Sequence, residues 1–222
     1  MFLCIGNVLG SDALASIAAA IDGATFEDGA LTAGWAAQGV KRNRQLAAGS
    51  PAQADIQQRV QGALQANELF TSAALPRALS PILVSQTLPG MGYGNHIDNA
   101  VMGAPPIRTD LAFTLFLSPP DSYDGGELVV DDSQGEQGWK LASGAMLLYP
   151  ATTLHRVEAV TRGVRHVAAG WVQSLVRDPR IREMLFDLDA VRRALFSQAG
   201  RGSEFNLLQK TYSNLLRLHA EP

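Results

Sequence analysis

The stretch LASGAMLLYPATTLHRVEAVTRGVRHVAAGWVQSLVRD, residues 141–178, contains three predicted β-strands in succession. Residues 145–149 are mostly apolar, and residues 155–160 alternate polar and apolar side chains, as a strand with one buried face does. Residues 161–163 are a predicted turn, and residues 164–176 a long final strand. Short strands separated by turns predict a β-sandwich or an open barrel.

The pattern continues upstream of this stretch. Further β-rich or apolar segments are predicted strands, and two segments rich in glycine, proline or polar residues are predicted turns. The strands are residues 82–88, 111–117, 127–131 and 139–141, and the turns are residues 119–126 and 135–138. The predicted fold class is therefore mainly β with flanking helices.

Helical spacing of apolar residues appears on both sides of the β region. Helices are predicted over residues 12–22, with Ser11 as N-cap, and over residues 51–67, where Ile56, Val60, Leu64 and Leu69 form one stripe. A helical hairpin is predicted after residue 177. The chain then divides into an N-terminal strand with supporting helices (1–77), a β domain (78–176) and a C-terminal helical extension (177–222).

Composition excludes several classes of protein. The 222 residues carry a formal charge of −3, which gives no basic field for nucleic acid. Cys4 is the single cysteine, so an internal disulfide is excluded and a reducing compartment is expected. The N-terminus lacks the positive start of a secretory signal, and no apolar run is long enough for a membrane span. We therefore expect a soluble, cytoplasmic protein, and we interpret the basic cluster at residues 41–44 as a solvated loop.

The triplet His96-Ile97-Asp98 points to a metal. Side chains two apart on a strand share a face, so the imidazole and the carboxylate can meet one ion. His155, at the start of a predicted strand, supplies a third ligand. Two histidines and one carboxylate with open positions are typical of non-haem Fe(II) oxygenases. A zinc hydrolase uses similar ligands and also keeps an open position, so the three residues leave both chemistries open.

Arg165 favours the oxygenase. It lies one predicted hairpin after His155, where its side chain can face the interior. A buried guanidinium needs an anion, and it can hold a carboxylate through two parallel hydrogen bonds. The anion that we favour is a dicarboxylate co-substrate, and the alternative is an ordinary ion pair, for example with Glu158.

These residues and their surroundings resemble the bacterial PKHD-type hydroxylases, which are Fe(II)- and 2-oxoglutarate-dependent dioxygenases of the prolyl-hydroxylase kind. The resemblance covers nearly the whole chain, including the helical tail. Besides residues 135–178, it is carried by NVLGSDALA (7–15), YGNHIDNAVM (93–102) and RTDLAFTLFLSPPDSYDGGELVV (108–130).

The resemblance implies a fold, a site and a reaction. The fold would be a double-stranded β-helix of the jelly-roll type. His96, Asp98 and His155 would hold iron, and Arg165 would bind the far carboxylate of 2-oxoglutarate. The enzyme would hydroxylate a C–H bond of a peptidyl residue or a siderophore-like small molecule, release succinate and CO2, and use ascorbate as reductant. Bacterial relatives suggest a link to iron uptake.

One position departs from the pattern of the prolyl-hydroxylase relatives. In many of them a tyrosine lies about ten residues before the first histidine. This tyrosine helps to hold 2-oxoglutarate, as a single polar group in a mostly apolar pocket can fix the orientation of a ligand. Gln86 occupies this position here, and we assign it no role. Tyr93 and Tyr149 are the candidates for that hydroxyl contact, and a packed aromatic with its hydroxyl at the rim is the alternative for each.

The remaining polar candidates are weaker. Asn99 could contact a ligand or orient Asp98, and Arg108 and Asp110 could line the mouth of the site. His166 should face away from Arg165, since neighbouring strand residues alternate, and His219 should be exposed.

Two other functions remain open at this point. A zinc-dependent hydrolase would use the same three ligands, and a non-catalytic sensor would bind iron or 2-oxoglutarate without turnover. The two apolar faces of the C-terminal hairpin fit either its own sheet or a second copy of the chain, which predicts a homodimer as one outcome.

Overall fold

The computed structural model describes residues 1–35, 37–133 and 135–222, in which two antiparallel β-sheets face each other. The larger sheet has eight strands, of which seven follow one another and β5 (Pro76–Leu79) pairs with β17. In spatial order the seven are β1 (Leu3–Ile5), β14 (Met146–Pro150), β10 (Leu111–Phe116), β17 (Arg165–Ser174), β6 (Leu83–Thr87), β4 (Arg44–Leu46) and β2 (Phe26–Asp28).

The smaller sheet has five strands and faces the larger one. In spatial order they are β13 (Gly135–Trp139), β12 (Leu128–Asp132), β15 (Leu154–Val157), β7 (Gly92–His96) and β3 (Lys41–Arg42). Two short ribbons complete the β structure: β8 (Val101–Met102) with β9 (Ile107–Arg108), and β11 (Tyr123–Asp124) with β16 (Arg162–Gly163). The predicted fold, a double-stranded β-helix with flanking helices, is confirmed.

Five α-helices flank the sheets in the described part of the chain. They are α1 (Ser11–Ile21), α2 (Pro51–Ala66), α3 (Glu68–Ala74), α4 (Pro179–Ala199) and α5 (Ser203–His219). A 3-10 helix, Gly29–Thr32, lies between β2 and β3. Among the residues that the structure describes, no helix combines the length and the hydropathy that a membrane span requires.

The central strand β10 is buried on both faces, as its continuous apolar run predicts. Phe113 and Leu115 belong to the core that packs against the helices. Ala112 belongs to a separate cluster, and Thr114 lines a cavity between the sheets. The two faces of this strand therefore pack differently, one against the helices in the hydrophobic core and the other toward the cavity between the sheets.

The predicted stripe of α2 is correct for Ile56, Val60 and Leu64, which are fully buried. Leu69 was predicted to extend this stripe, but it is 40% exposed. The reason is that α2 ends at Ala66, and Asn67 caps the new helix α3 by accepting a hydrogen bond from the Phe70 amide. The interruption changes the direction of the helix and ends the stripe.

Two predicted loops contain strands. Residues 135–138, predicted as a turn, belong to β13, which pairs with β12. Residues 119–126 contain β11. In both places glycines and polar residues dominate the local pattern, and pairing with a neighbouring strand overrides it.

Residues 1–77 do more than support the β domain. They contribute β1, β2, β4 and β5 to the larger sheet and β3 to the smaller one. The α4–α5 hairpin packs around Leu185 and Tyr212 against Leu75, at the end of α3. On α4, the buried Asp189 accepts hydrogen bonds from Ser72 at 2.6 Å and from Arg193 at 2.8 Å. The hairpin is thus fixed to the body of the same chain on its inner face.

Candidate metal centre

Three potential metal ligands meet in the cavity between the sheets. Ligand atoms of His96, Asp98 and His155 all lie within 4.8 Å of one another. His96 is the last residue of β7 and lies opposite His155 of β15 in the register. Asp98 follows the end of β7 in the loop and not on the strand, and its Oδ1 is 3.9 Å from His155 Nε2. Two adjacent strands and one loop residue build the cluster.

Backbone carbonyls orient both imidazoles. His96 Nδ1 lies 2.8 Å from the Gly94 carbonyl oxygen, and His155 Nδ1 lies 3.0 Å from that of Thr153. A carbonyl oxygen can only accept, so each Nδ1 carries the proton and each Nε2 keeps a free lone pair. Such hydrogen bonds fix the tautomer and the ring direction that a metal ligand requires.

Burial favours the cation-binding form of the His96 imidazole and opposes that of the Asp98 carboxylate. It lowers the pKa of His96 to about 3, helped by the neighbouring His155, so this imidazole is neutral at physiological pH. Burial raises the pKa of Asp98, while His155 and Lys41 oppose the rise. Within the described residues Asp98 Oδ2 is buried without a hydrogen-bond partner. A divalent cation would satisfy this carboxylate.

An irregularity in β7 brings Tyr93 into the same cavity. The register shifts between the pair His155–His96 and the pair Val157–Tyr93, which marks a β-bulge. Without the bulge, Tyr93 and His96, three residues apart, would point to opposite faces. The two rings stack with centroids 3.5 Å apart, and burial raises the pKa of Tyr93 to about 12.

Arg165 is buried in the cavity wall and is 2% exposed. Its Nε and Nη2 have no hydrogen-bond partner in the described part of the chain, and its guanidinium lies 5.6 Å from the Phe116 ring centroid. Glu158, the candidate for an ordinary ion pair, is bound to Arg156 at 2.7 Å instead. A buried guanidinium with free donors is a receptor for a carboxylate.

Tyr149 and Gln86 have opposite placements. Tyr149 is buried, lines the cavity and packs edge-on against His155, with centroids 5.3 Å apart. Gln86 pairs in register with His166, on the face of the larger sheet away from the cavity, and their side chains are 3.1 Å apart. Gln86 therefore does not replace the missing tyrosine, because its strand presents Thr87 to the cavity.

The weaker candidates separate into lining and structural residues. Asn99 lines the cavity and lies against Gly34, where a Cβ would come within 2.9 Å of its Oδ1. Arg108 and Asp110 do not line it: they form an ion pair at 2.7 Å, and Arg108 also binds Glu221 at 2.9 Å. This network anchors the end of the chain. His219 is exposed, as predicted.

Lys41 is the site residue that the sequence interpretation missed. It was assigned to a solvated loop, but it is 8% exposed and lines the cavity on β3. Burial lowers its pKa to about 8, opposed by Asp98 and Asp28. The sequence gives no signal for this burial, because residues 41–45 (KRNRQ) are all polar, and only the structure shows that Lys41, Asn43 and Gln45 are buried while Arg42 is exposed.

Unpaired polar groups collect at this cavity. Asn43 Oδ1, Asp98 Oδ2, Arg165 Nε and Nη2, and Trp171 Nε1 are all buried without a partner among the described residues, and all four side chains line it. Such groups are costly inside a protein unless a ligand satisfies them. The donor set fits a divalent cation at the histidine–aspartate cluster and a carboxylate at Arg165.

Comparison with known families agrees with this geometry. Residues 82–173 match the 2OG-Fe(II) oxygenase superfamily, and residues 180–221 match the PKHD-type hydroxylase C-terminal domain. The chain is 52% identical over 223 residues to a PKHD-type hydroxylase of Synechococcus sp. (strain JA-2-3B'a(2-13)), with 100% of both chains covered.

Solved structures share the fold at low identity. A Trichoplax adhaerens prolyl hydroxylase in complex with a hypoxia inducible factor peptide fragment has a TM-score of 0.56 and 16% identity, covering 78% of this chain and 83% of that one. HygX from Streptomyces hygroscopicus, with nickel, 2-oxoglutarate and hygromycin B bound, has a TM-score of 0.53 and 15% identity, covering 79% of this chain and 84% of that one.

Proposed function

Because the chain belongs to the PKHD-type hydroxylase family of 2OG-Fe(II) oxygenases, we propose that it hydroxylates a C–H bond with Fe(II) and 2-oxoglutarate at this cavity. The observation that carries the proposal is the convergence of His96, Asp98 and His155 within 4.8 Å. Arg165, buried in the same cavity with free donors, supports the co-substrate.

In this proposal the imidazole Nε2 atoms and the Asp98 carboxylate hold the metal. The hydrogen bonds from Nδ1 to the carbonyls of Gly94 and Thr153 keep both rings in place before the ion arrives. A preorganised site avoids the cost of ordering the side chains on binding.

Arg165 binds the far carboxylate of 2-oxoglutarate through its free Nε–H and Nη2–H. The Tyr149 hydroxyl, from β14 in the same wall, and the Tyr93 hydroxyl, beside His96, are the further contacts we assign to the co-substrate. Burial raises the pKa of both tyrosines, so each keeps its proton and can donate.

When bound, iron and 2-oxoglutarate supply the oxidation: O2 is consumed, 2-oxoglutarate becomes succinate and CO2, and one oxygen atom enters the substrate C–H bond. The chain orients the ligands and lines the cavity with apolar side chains. Leu128, Val157, Val167 and Ala169 line the cavity between the polar groups and exclude water from it.

The test is oxygen-dependent turnover of the co-substrate. Protein purified anaerobically is loaded with Fe(II), 2-oxoglutarate and ascorbate, exposed to O2, and assayed for succinate. We expect succinate from the wild type and from Asp124→Ala, an exposed carboxylate variant, and none from Asp98→Ala. Ascorbate is proposed as the reductant, and omitting it should shorten the period of activity.

Other outcomes would identify another function. Hydrolytic activity with zinc that ignores O2 and survives Arg165→Met would support a hydrolase. Tight binding of iron and 2-oxoglutarate without succinate would support a sensor. The substrate is proposed to be a peptidyl residue or a siderophore-like small molecule, and the structures of similar fold hold a peptide fragment in one case and hygromycin B in another.

The cellular setting is part of the proposal. Fe(II) chemistry with a single cysteine suits the reducing cytoplasm. A homodimer through the C-terminal helices stays a prediction: Val191, Phe196 and Leu207 are half-exposed on the hairpin, whereas its inner face packs on the same chain. A role in iron uptake is likewise a hypothesis from the family resemblance.

A further inference from the structure

Lys41 is a second buried cation in the cavity, and the co-substrate chemistry does not use it. Its Nζ donates to Thr32 Oγ1 at 2.9 Å, and the Thr32 hydroxyl lies 2.6 Å from Gln45 Oε1. In the ranges that the structure describes no carboxylate lies within 4.0 Å of this ammonium, and the Tyr93 ring centroid, at 5.5 Å, offsets its charge only in part. An ammonium has three donors, so donors remain for a ligand.

The charges that line the cavity leave this cation unbalanced. Its charged lining side chains are Lys41, Asp98 and Arg165. Asp98 offsets one of the two cations. A divalent metal and a doubly charged 2-oxoglutarate offset each other, so one positive charge stays in the loaded site. A buried charge is expensive unless it is paired.

Lys41 also lies on the opposite wall from the co-substrate arginine. It belongs to β3 at the edge of the smaller sheet, opposite Tyr93 in the register, whereas Arg165 begins β17 of the larger sheet. The side chain is fixed by the 3-10 helix Gly29–Thr32, whose Thr32 lines the cavity. This position suits the part of the cavity that receives the primary substrate.

We propose that Lys41 binds an anionic group of the primary substrate, a carboxylate or a group of similar charge. This inference rests on the proposed function and narrows its substrate class. Thr32 and Gln45 position the ammonium, and Lys41 acts as a specificity-determining residue.

Two exposed apolar residues next to the cavity lining indicate the rest of the substrate. Leu31 is 74% exposed and Trp35 is 92% exposed, and they flank Thr32–Gly34 of the cavity lining in sequence. Large exposed apolar side chains are typical of a surface that binds an apolar body. The substrate that fits is therefore an anion carried on an apolar or aromatic frame, and the probes are chosen accordingly.

The experiment compares charged probes with their neutral amides. Full-length protein is loaded with Mn(II) and saturating 2-oxoglutarate, and the Kd values of phenylacetate, phenylacetamide, hexanoate and hexanamide are measured from the Mn(II)-induced relaxation of probe protons. Lys41→Met, Lys41→Arg and Arg42→Met are compared with wild type. Arg42 is the matched control, since it is the next residue on β3 and is exposed.

We expect each carboxylate to bind wild type and Arg42→Met about tenfold more tightly than its amide, as one charge-assisted contact provides. Lys41→Met should lose the preference, and Lys41→Arg should keep part of it. All variants should bind 2-oxoglutarate within about threefold of wild type, well under the tenfold step of one such contact. Lys41→Met should melt no lower than wild type, because it removes a buried unpaired charge at similar volume.

Several results would overturn the inference. A carboxylate preference that survives Lys41→Met, or that is absent from wild type for both probe pairs, rules out an anion subsite at this residue. Loss of 2-oxoglutarate affinity in Lys41→Met would assign the lysine to the co-substrate instead. Failure of wild type to bind 2-oxoglutarate at all would refute the proposed function, and this inference with it.

Discussion

Arg165→Met is expected to raise the stability of the metal-free protein while it removes co-substrate binding. The native guanidinium is buried with Nε and Nη2 unpaired among the described residues. Its compensation is partial: the Phe116 ring lies at 5.6 Å, and Tyr123 and Glu127 oppose the lowering of its pKa by burial. Methionine keeps much of the side-chain volume and brings no polar atom that needs a partner. Stability and function should therefore move in opposite directions.

The magnitude follows from the contacts. Each buried unpaired donor costs about 1–3 kcal/mol, and the cation–π contact returns about 1–2 kcal/mol. The substitution should therefore raise the free energy of unfolding by about 2 kcal/mol, which corresponds to a Tm rise of about 4–8 °C for a chain of this size. In the other direction, two charge-assisted hydrogen bonds to a carboxylate contribute about 3 kcal/mol or more, so 2-oxoglutarate should bind about a hundredfold more weakly.

Two measurements test the predicted rise in stability and the predicted loss of 2-oxoglutarate affinity. Calorimetric melting of metal-free protein gives the change in stability, and titration of 2-oxoglutarate into Mn(II)-loaded protein gives the affinity. Arg162→Met is the matched control, because Arg162 is exposed and paired with Asp124 at 2.7 Å. It should change stability by no more than about 0.5 kcal/mol and leave affinity unchanged. If Arg165→Met melts lower and still binds 2-oxoglutarate normally, Arg165 is a structural residue and the reasoning is wrong.

Three further substitutions test the close packing at Gly126, the hydrogen bonds of Asp110 and the protonation of His166. Gly126→Ala should destabilise by about 3 kcal/mol in denaturant melts, because φ is +71° and the new Cβ would lie 2.9 Å from Arg165 Cδ; Gly90→Ala, at φ +82° with open space, should lose about 1–2 kcal/mol. Asp110→Ala should cost about 2 kcal/mol, since the Ser174 amide loses its 2.9 Å acceptor, with 2-oxoglutarate affinity unchanged. Burial lowers the pKa of His166, so the unfolded chain takes up the proton more readily and stability should fall as pH drops below about 6.5. His96 contributes to the same fall, because burial also lowers its pKa, so His166→Asn should reduce the slope in pH-dependent melts without abolishing it, and the exposed His219→Asn should leave the slope unchanged.

The candidate ligand pair His96 and Asp98 and the β core are predictable from short-range patterns, whereas the approach of His155 depends on the pairing of β7 with β15. His96 and Asp98 are two residues apart, and the apolar runs that become β10, β14 and β17 are long enough to identify a buried sheet. Alternation along β17 also predicts that Arg165 faces inward and His166 outward. Such arguments need no knowledge of which strands are neighbours.

The errors arise where the partner is distant in sequence. Lys41 is buried because β3 pairs with β7, about fifty residues later in the chain, and no local pattern encodes that pairing. Gly29 packs against Asn43, where a Cβ would overlap the Asn43 Oδ1, and Thr32 at the end of the same 3-10 helix accepts a hydrogen bond from Lys41. The five polar residues 41–45 therefore predict a loop, and only the pairing with β7 and the contact between Gly29 and Asn43 show that they are partly buried.

The location of the unpaired polar atoms gives an argument for function that is independent of sequence resemblance. A fold selected for stability alone would pair or remove Asp98 Oδ2 and the Arg165 donors, since each costs free energy. Both lie in one cavity, beside two imidazoles whose tautomers are fixed by backbone carbonyls. Lys41 adds a cation that the metal and the co-substrate leave unbalanced. If the proposed function and the proposed Lys41 subsite are both correct, the cavity binds a cation, a dicarboxylate and an anionic substrate, and we expect each ligand to raise Tm only while its own binding residue is intact.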